Sequence, residues 1–221
     1  QARMVLLSST SPDTSLVLTS AASSLGVSPD GAHLVVAGRD VLQTIALNTK
    51  DGSMRPDENL LLHTRKHVNL SCNDVQWNPQ QASQLATGST TGTVLLWNLE
   101  SKSNDKLGRT LSAHSRAINR VCYVPQETSR LLSGSQDCTT KLWDTRVRFS
   151  MQTSFRTAAE ARDVAVSRLS PTRFAVALEN GMVQLFDFRS NKDALARLQA
   201  HGAPVFCLDF HPEERGILAT G

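Results

Sequence analysis

The chain has 221 residues, enough for one large domain or two small ones, and 40% of them are hydrophobic, an ordinary share for a globular chain. Its 23 basic and 20 acidic residues leave a net charge of +3, too small an excess to argue for nucleic acid or an anionic membrane. The basic residues are scattered, with Arg65 and Lys66 adjacent but no longer run, and no apolar run approaches the ~20 residues needed to cross a bilayer.

In chain order, strand-like pieces come first at Met4-Val5-Leu6-Leu7 and Leu16-Val17-Leu18. Leu25-Gly26-Val27 then runs into Ser28-Pro29-Asp30-Gly31, where proline and glycine stop the strand and make a turn, and Leu34-Val35-Val36-Ala37-Gly38 follows. Alternating apolar pieces recur at Val75-Gln76-Trp77, Val121-Cys122-Tyr123, Val164-Ala165-Val166 and Leu208-Asp209-Phe210, the mark of half-buried strands. Pro79, Pro125 and Pro212 each stand two residues after the second apolar position. Three segments end alike: Val94-Leu95-Leu96-Trp97-Asn98, Thr140-Lys141-Leu142-Trp143-Asp144 and Val183-Gln184-Leu185-Phe186-Asp187. Their aromatics are 46 and then 43 residues apart, and a small residue (Gly88, Gly134 or Ala177) lies nine positions before each.

A period of ~40–45 residues holding four short strands is the pattern of a WD-repeat propeller blade. A β-sandwich also has short strands at regular spacing, but gives no reason for the same residues to recur at this period. The expected fold is all-β, a WD40 β-propeller that is incomplete in this chain, with about four and a half blades of roughly seven. Blades are expected near residues 21–50, 66–100, 112–148 and 157–190, with the start of a fifth at 199–221. The chain is thus expected to be the N-terminal part of a propeller and a piece of something longer. Open sheet edges are a liability, so it is not expected to be comfortable as a lone monomer. Propellers often close by letting the first strand complete the last blade, and Leu16–Leu18 is the candidate for that strand.

Cys72, Cys122, Cys138 and Cys207 form no C-x-x-C pair, which argues against a zinc site. They are expected to be free thiols buried in strands, as suits a reducing compartment. No phosphate-binding loop, dinucleotide glycine motif or H-E-x-x-H is present, so no metal or other cofactor is expected.

The third blade carries the whole WD-repeat tetrad: His114, Ser133, Asp137 and Trp143. The resemblance to WD repeats implies that Asp137 accepts from the His114 imidazole. His114 then bonds the Ser133 hydroxyl, which accepts the Trp143 indole N–H. A His, a Ser and an Asp also suit a hydrolase triad, but there is no nucleophile elbow and the spacing is that of the structural network. No catalytic residue is expected. The second blade keeps Thr87 and Trp97, with Thr91 in place of the Asp and His67 one residue out of register; the fourth has Val176, Asn180 and Phe186, so packing must substitute there. The fifth offers His201 and Thr220, and Cys138 stands where a glycine commonly follows the Asp. Blade three is expected to be the best-locked unit.

Longer phrases narrow the resemblance. Asn69-Leu70-Ser71-Cys72-Asn73-Asp74-Val75-Gln76-Trp77, Leu131-Leu132-Ser133-Gly134-Ser135-Gln136-Asp137 and Glu179-Asn180-Gly181-Met182-Val183-Gln184-Leu185-Phe186-Asp187 resemble the WD repeat-containing protein 24 family. So does the run from His201 to Gly216, and the resemblance covers roughly residues 21–221, with Ser53–Thr64 matching poorly. It implies a subunit of the GATOR/SEA complex that activates amino-acid signalling to the TOR kinase complex. The expected partners are other protein subunits, without nucleic acid or membrane insertion, in the cytoplasm and recruited to the lysosomal or vacuolar surface. Family members continue into a helical solenoid and a RING, neither of which lies within these residues.

The competing reading is a substrate receptor of a cullin–RING ubiquitin ligase. Its motif is present as Trp143-Asp144-Thr145-Arg146 and echoed by Phe186-Asp187-Phe188-Arg189. An Arg two residues after the blade-ending Asp is common in WD repeats as a solvated residue. Propellers usually bind partners on the face that holds the Asp turns. Candidates there are Thr90, Gln136 and Glu179, just before the turn position, and Asn73, Asn119 and Arg162, two residues before the inward apolar residue of each first strand. The plain alternative for each is a solvated rim residue.

Overall fold

The computed structural model describes residues 3–6, 14–18, 20–48, 50, 52–62, 64, 71–147, 151–190 and 193–221. His67, Arg65 and Lys66 lie outside the described residues. Every regular element among those described is a β-strand. β1 (Arg3–Leu6) and β2 (Thr14–Val17) pair with each other as an antiparallel hairpin. A four-stranded sheet follows, made of β3 (Ala22–Val27), β4 (His33–Gly38), β5 (Leu42–Leu47) and β6 (Met54–Asn59) in that spatial order. The next holds β7 (Cys72–Asn78), β8 (Gln81–Ser89), β9 (Thr93–Asn98) and β10 (Leu107–Ser112); the third holds β11 (Ile118–Val124), β12 (Glu127–Ser135), β13 (Thr139–Asp144) and β14 (Met151–Arg156). The fourth holds β15 (Ala161–Val166), β16 (Arg173–Leu178), β17 (Met182–Asp187) and β18 (Ala196–Gln199), and β19 (Leu208–Phe210) pairs with β20 (Leu218–Thr220).

Each four-stranded sheet is a simple meander, the product of short alternating runs divided by turns. The sheets continue past the blade-ending aromatics. The fourth strands β10, β14 and β18 lie beyond Trp97, Trp143 and Phe186, and β6 lies beyond Leu47, which ends β5 in the first sheet. These outer strands are polar and mostly exposed, as Met54-Arg55-Pro56-Asp57-Glu58-Asn59 illustrates, so they carry little of the hydrophobic signal that marks the first three.

The chain divides into two compact units, one of Gln1–Thr90 with Leu95–Thr110 and one of Thr91–Val94 with Leu111–Gly221. In the first unit, Val35, Leu42, Cys72, Val75, Trp77, Leu85, Leu95 and Trp97 pack into one buried cluster. The Trp77 indole N–H crosses to the Gly26 carbonyl at 3.2 Å, tying the second sheet to the first. In the second unit, Cys122, Leu132, Leu142, Phe155, Val164, Phe174, Val176 and Phe186 form the main core. Burying one such side chain contributes about 1.5–3 kcal/mol.

The small residue nine positions before the aromatic has a steric reason. A Cβ on Gly134 would lie 2.6 Å from Val164 Cγ2 and 3.2 Å from Ala161 Cβ, so the third and fourth sheets approach too closely for a side chain. The cysteines depart from expectation in part. All four are free, and Cys72 and Cys122 are buried in strands, but Cys138 is half-buried in a turn and Cys207 is exposed just ahead of β19.

Candidate functional site: the tetrad and the turn face

The third sheet brings His114, Ser133, Asp137 and Trp143 into one continuous chain of hydrogen bonds. Ser133 lies on β12 and Trp143 on β13, while Asp137 sits in the turn between them. His114 Nδ1 is 2.8 Å from Asp137 Oδ2, His114 Nε2 is 2.7 Å from Ser133 Oγ, and Trp143 Nε1 is 2.8 Å from Ser133 Oγ. With a neutral imidazole, an indole that can only donate and an ionised carboxylate that can only accept set every proton. Nδ1–H donates to Asp137, the Ser133 hydroxyl donates to Nε2, and Trp143 donates to the Ser133 oxygen.

Burial pushes the His114 pKa down, against the opposing pull of Asp137, so the neutral ring that this pattern needs is the favoured one. Burial works to raise the Asp137 pKa. Hydrogen bonds from Thr139, His114 and the Ser115 amide outweigh it and hold the carboxyl below its ordinary range. Thr139 and Ser115 are members that sequence reading missed. The Thr139 hydroxyl and amide reach Asp137 Oδ1 at 2.5 and 3.0 Å, and the Ser115 amide reaches Oδ2 at 3.1 Å. Ser133 is 0% exposed, so its hydroxyl is closed off from solvent.

The other sheets hold parts of this arrangement. Trp97 Nε1 donates to Thr87 Oγ1 at 3.0 Å in the second. His201 Nε2 lies 2.8 Å from Thr220 Oγ1 beside β20. In the fourth, Val176 and Phe186 are fully buried. Phe174 stacks on Phe186 and Phe188 with centroids 5.1 Å apart in each pair, and Phe155 meets Phe174 edge-on at 5.0 Å. Aromatic packing stands there in place of polar bonds.

The six surface candidates come together in pairs, for a reason visible in strand register. The pairing of each first strand with its second skips one residue: Ser23, Asn73, Asn119 and Arg162 in turn. A bulge of this kind leaves one residue out of the ladder and re-aims its side chain. Next to each bulge, the residue before the turn donates its amide to the residue just ahead of the first strand. Thr90 reaches Ser71, Gln136 reaches Ala117 and Glu179 reaches Glu160, each at 3.0 Å. Asn73 therefore lies by Thr90, Asn119 by Gln136 and Arg162 by Glu179. Gln136 Nε2 donates to Asn119 Oδ1 at 3.3 Å, and Arg162 Nε bonds the Glu179 carboxylate.

Within the second unit, further residues lie beside its two pairs. Arg116 pairs with Glu160 at 2.6 Å and donates to the Gln136 carbonyl at 3.0 Å. The Arg162 guanidinium lies over the Phe206 ring, 5.7 Å from its centroid. The signal for Phe206 was available, because Val205-Phe206-Cys207-Leu208 aligns with Ala161-Arg162-Asp163-Val164.

At the opposite strand ends, both arginines of the Trp-Asp-x-Arg echo fold back on their own blades. Arg146 Nε and Nη2 bond Asp144 at 3.0 and 2.7 Å, and Arg189 Nε and Nη2 bond Asp187 at 3.2 and 3.1 Å. Hydrogen bonding from these arginines lowers the Asp144 and Asp187 pKa values, each to about 2.

Comparison with known proteins gives this geometry a lineage. Residues 58–220 match the family model described as nucleolar protein 10-like, N-terminal domain, a β-propeller. The human GATOR2 complex protein WDR24 is 39% identical over 204 residues, covering 92% of this chain and 26% of that protein. The Dictyostelium discoideum protein of the same name is 32% identical over 214 residues, covering 94% of this chain and 21% of that protein. The chain therefore spans about a quarter of the length of the human relative. A chain from the crystal structure of the mitotic checkpoint complex superposes with a TM-score of 0.72 over 90% of this chain and 56% of that one, at 21% identity, a likeness of fold alone. The chain is an incomplete WD40-type β-propeller that belongs to the family described as nucleolar protein 10-like, N-terminal domain, and the proteins named GATOR2 complex protein WDR24 are its homologues.

Proposed function

We propose that this chain is the propeller part of a non-catalytic scaffold in a GATOR/SEA-type complex. In this reading the whole protein supports amino-acid signalling to the TOR kinase complex from the cytoplasmic side of the lysosome or vacuole. The observation that carries it is homology with GATOR2 complex proteins over 92% of the chain. The site supports it chemically. The His, Ser and Asp that suggest catalysis are bonded to one another and to Trp143, which suits a structural lock. What remains for partners are the turn-side residues of each unit, Asn73 and Thr90 in the first and Asn119, Gln136, Arg162 and Glu179 in the second.

The test is affinity purification of the full-length protein from cells, followed by identification of its companions. The expected result is recovery of the other GATOR2-type subunits, and loss of amino-acid-stimulated TOR kinase activity when the protein is depleted. Recovery of a cullin adaptor without those subunits overturns the reading in favour of a ligase receptor.

A further inference from the structure

The repeat provides an internal comparison at the bulge position. In the first sheet Ser23 Oγ reaches across to the Cys72 carbonyl of the second at 2.8 Å. In the third sheet Asn119 Nδ2 reaches the Ala161 carbonyl of the fourth, also at 2.8 Å. Cys72 and Ala161 are equivalent, each standing just before the bulge of its own strand. A short polar side chain at the bulge thus has a structural task, which is to tie one sheet to the next.

Arg162 and Phe206 abandon that solution. Arg162 takes the bulge position of β15 with a long cation, and Phe206 takes the equivalent place ahead of β19 with an aromatic ring that cannot bond a carbonyl. Phe206 is 64% exposed, a costly place for a large apolar ring. Arg162 is 29% exposed and commits Nε to Glu179. Its terminal amino groups have no hydrogen-bond partner among the described residues. A guanidinium held at its Nε edge and backed by an aromatic face is a preorganised fork for a carboxylate. The exposed ring beside it suits an apolar side chain.

We infer that Arg162 and Phe206 form a recognition site for a partner protein segment that carries an acidic residue next to an apolar one. The inference rests on the scaffold reading and names the chemistry of one of its contacts. Glu160 and Glu179 border the site and the chain's net charge is only +3, so the many charges of a phosphate backbone or an anionic lipid surface meet more repulsion than a single carboxylate does. The neighbouring charged groups are Arg116, paired with Glu160, and Glu179, paired with Arg162.

The test uses the full-length protein, panned against a random dodecapeptide library, with enriched peptides measured by fluorescence anisotropy. Enrichment of Asp or Glu beside Leu, Ile, Phe or Trp is expected. Arg162→Gln and Phe206→Ser should each weaken those peptides by about tenfold or more, with Arg162→Lys intermediate because it keeps the charge and loses the fork. Phe206→Leu serves where the serine variant melts early, and it should retain most binding. Enriched peptides without an acidic residue, or equal binding to wild type and Arg162→Gln, overturn the inference. So does tighter binding of single-stranded DNA or phosphatidylserine vesicles than of any peptide, or a Phe206 covered by the protein's own chain in the full-length molecule. The two readings fail separately. Loss of the co-purifying subunits from the wild-type protein sinks the scaffold reading, whereas loss of peptide selectivity with those subunits retained sinks only this one.

Discussion

Cys138 and Gly181 hold the same turn position in consecutive sheets, with φ of 58° and 82°. A Cβ on Gly181 would lie 2.2 Å from the His201 carbonyl oxygen and 2.8 Å from that of Ala203. Gly181→Ala is therefore expected to lower stability by about 2 kcal/mol or more, from left-handed strain and a backbone clash together. Cys138→Gly is expected to change stability by under about 1 kcal/mol, because relief of strain offsets the added freedom of the unfolded chain. Urea unfolding followed by tryptophan fluorescence checks both.

Ser133→Ala removes the acceptor of Trp143 and the donor to His114 in one step. It leaves two buried groups unpaired, and the expected cost is roughly 1–3 kcal/mol. Thr87→Ala strands the Trp97 indole and is expected to cost less. A Ser133→Ala effect no larger than that of Thr87→Ala in matched urea titrations contradicts the idea that the third sheet is the best locked.

The buried His114 ring makes stability depend on pH. Its folded pKa lies below its unfolded value, so the unfolded chain binds the proton more readily. The contribution is fully present above the unfolded value of ~6.5 and is lost as pH falls through the lower folded value. Thermal melting from pH 7.5 to 5 should show a declining midpoint, and His114→Gln should flatten that decline. Asp144 and Asp187, lowered to about 2, add a separate loss as pH falls from ~4 toward 2, a small one because both arginine partners are solvent-exposed.

Asp163 connects three places in the second unit. Its carboxylate accepts from the Leu208 amide at 2.9 Å and the Val164 amide at 2.8 Å, and pairs with Arg120 at 3.0 Å. Asp163→Ala should free the segment around β19, seen as faster amide hydrogen exchange at Leu208, with a loss of about 1–3 kcal/mol. Unchanged exchange at Leu208 removes Asp163 as the tie.

Phe174→Ala tests whether aromatic packing replaces the tetrad in the fourth sheet. The ring is fully buried against Phe155, Phe186 and Phe188. The expected cost is about 3–5 kcal/mol, measured by urea denaturation.

The sequence alone determined the repeat and the all-β class, and its resemblance to WD repeats named His114, Ser133, Asp137 and Trp143. The first two depend on local periodicity: alternation every second residue marks a strand, and recurrence of an aromatic with a small residue nine positions before it marks a blade. Tertiary structure alone decided three other matters. It placed the polar outer strands such as Met54–Asn59, whose pairing comes from backbone hydrogen bonds that leave little trace in side-chain pattern. It put Thr139 and Ser115 on Asp137, because turn geometry decides which amides and hydroxyls reach one carboxylate. It also set Arg162 over Phe206, a meeting of residues 44 positions apart that arises only when β15 packs beside the segment ahead of β19.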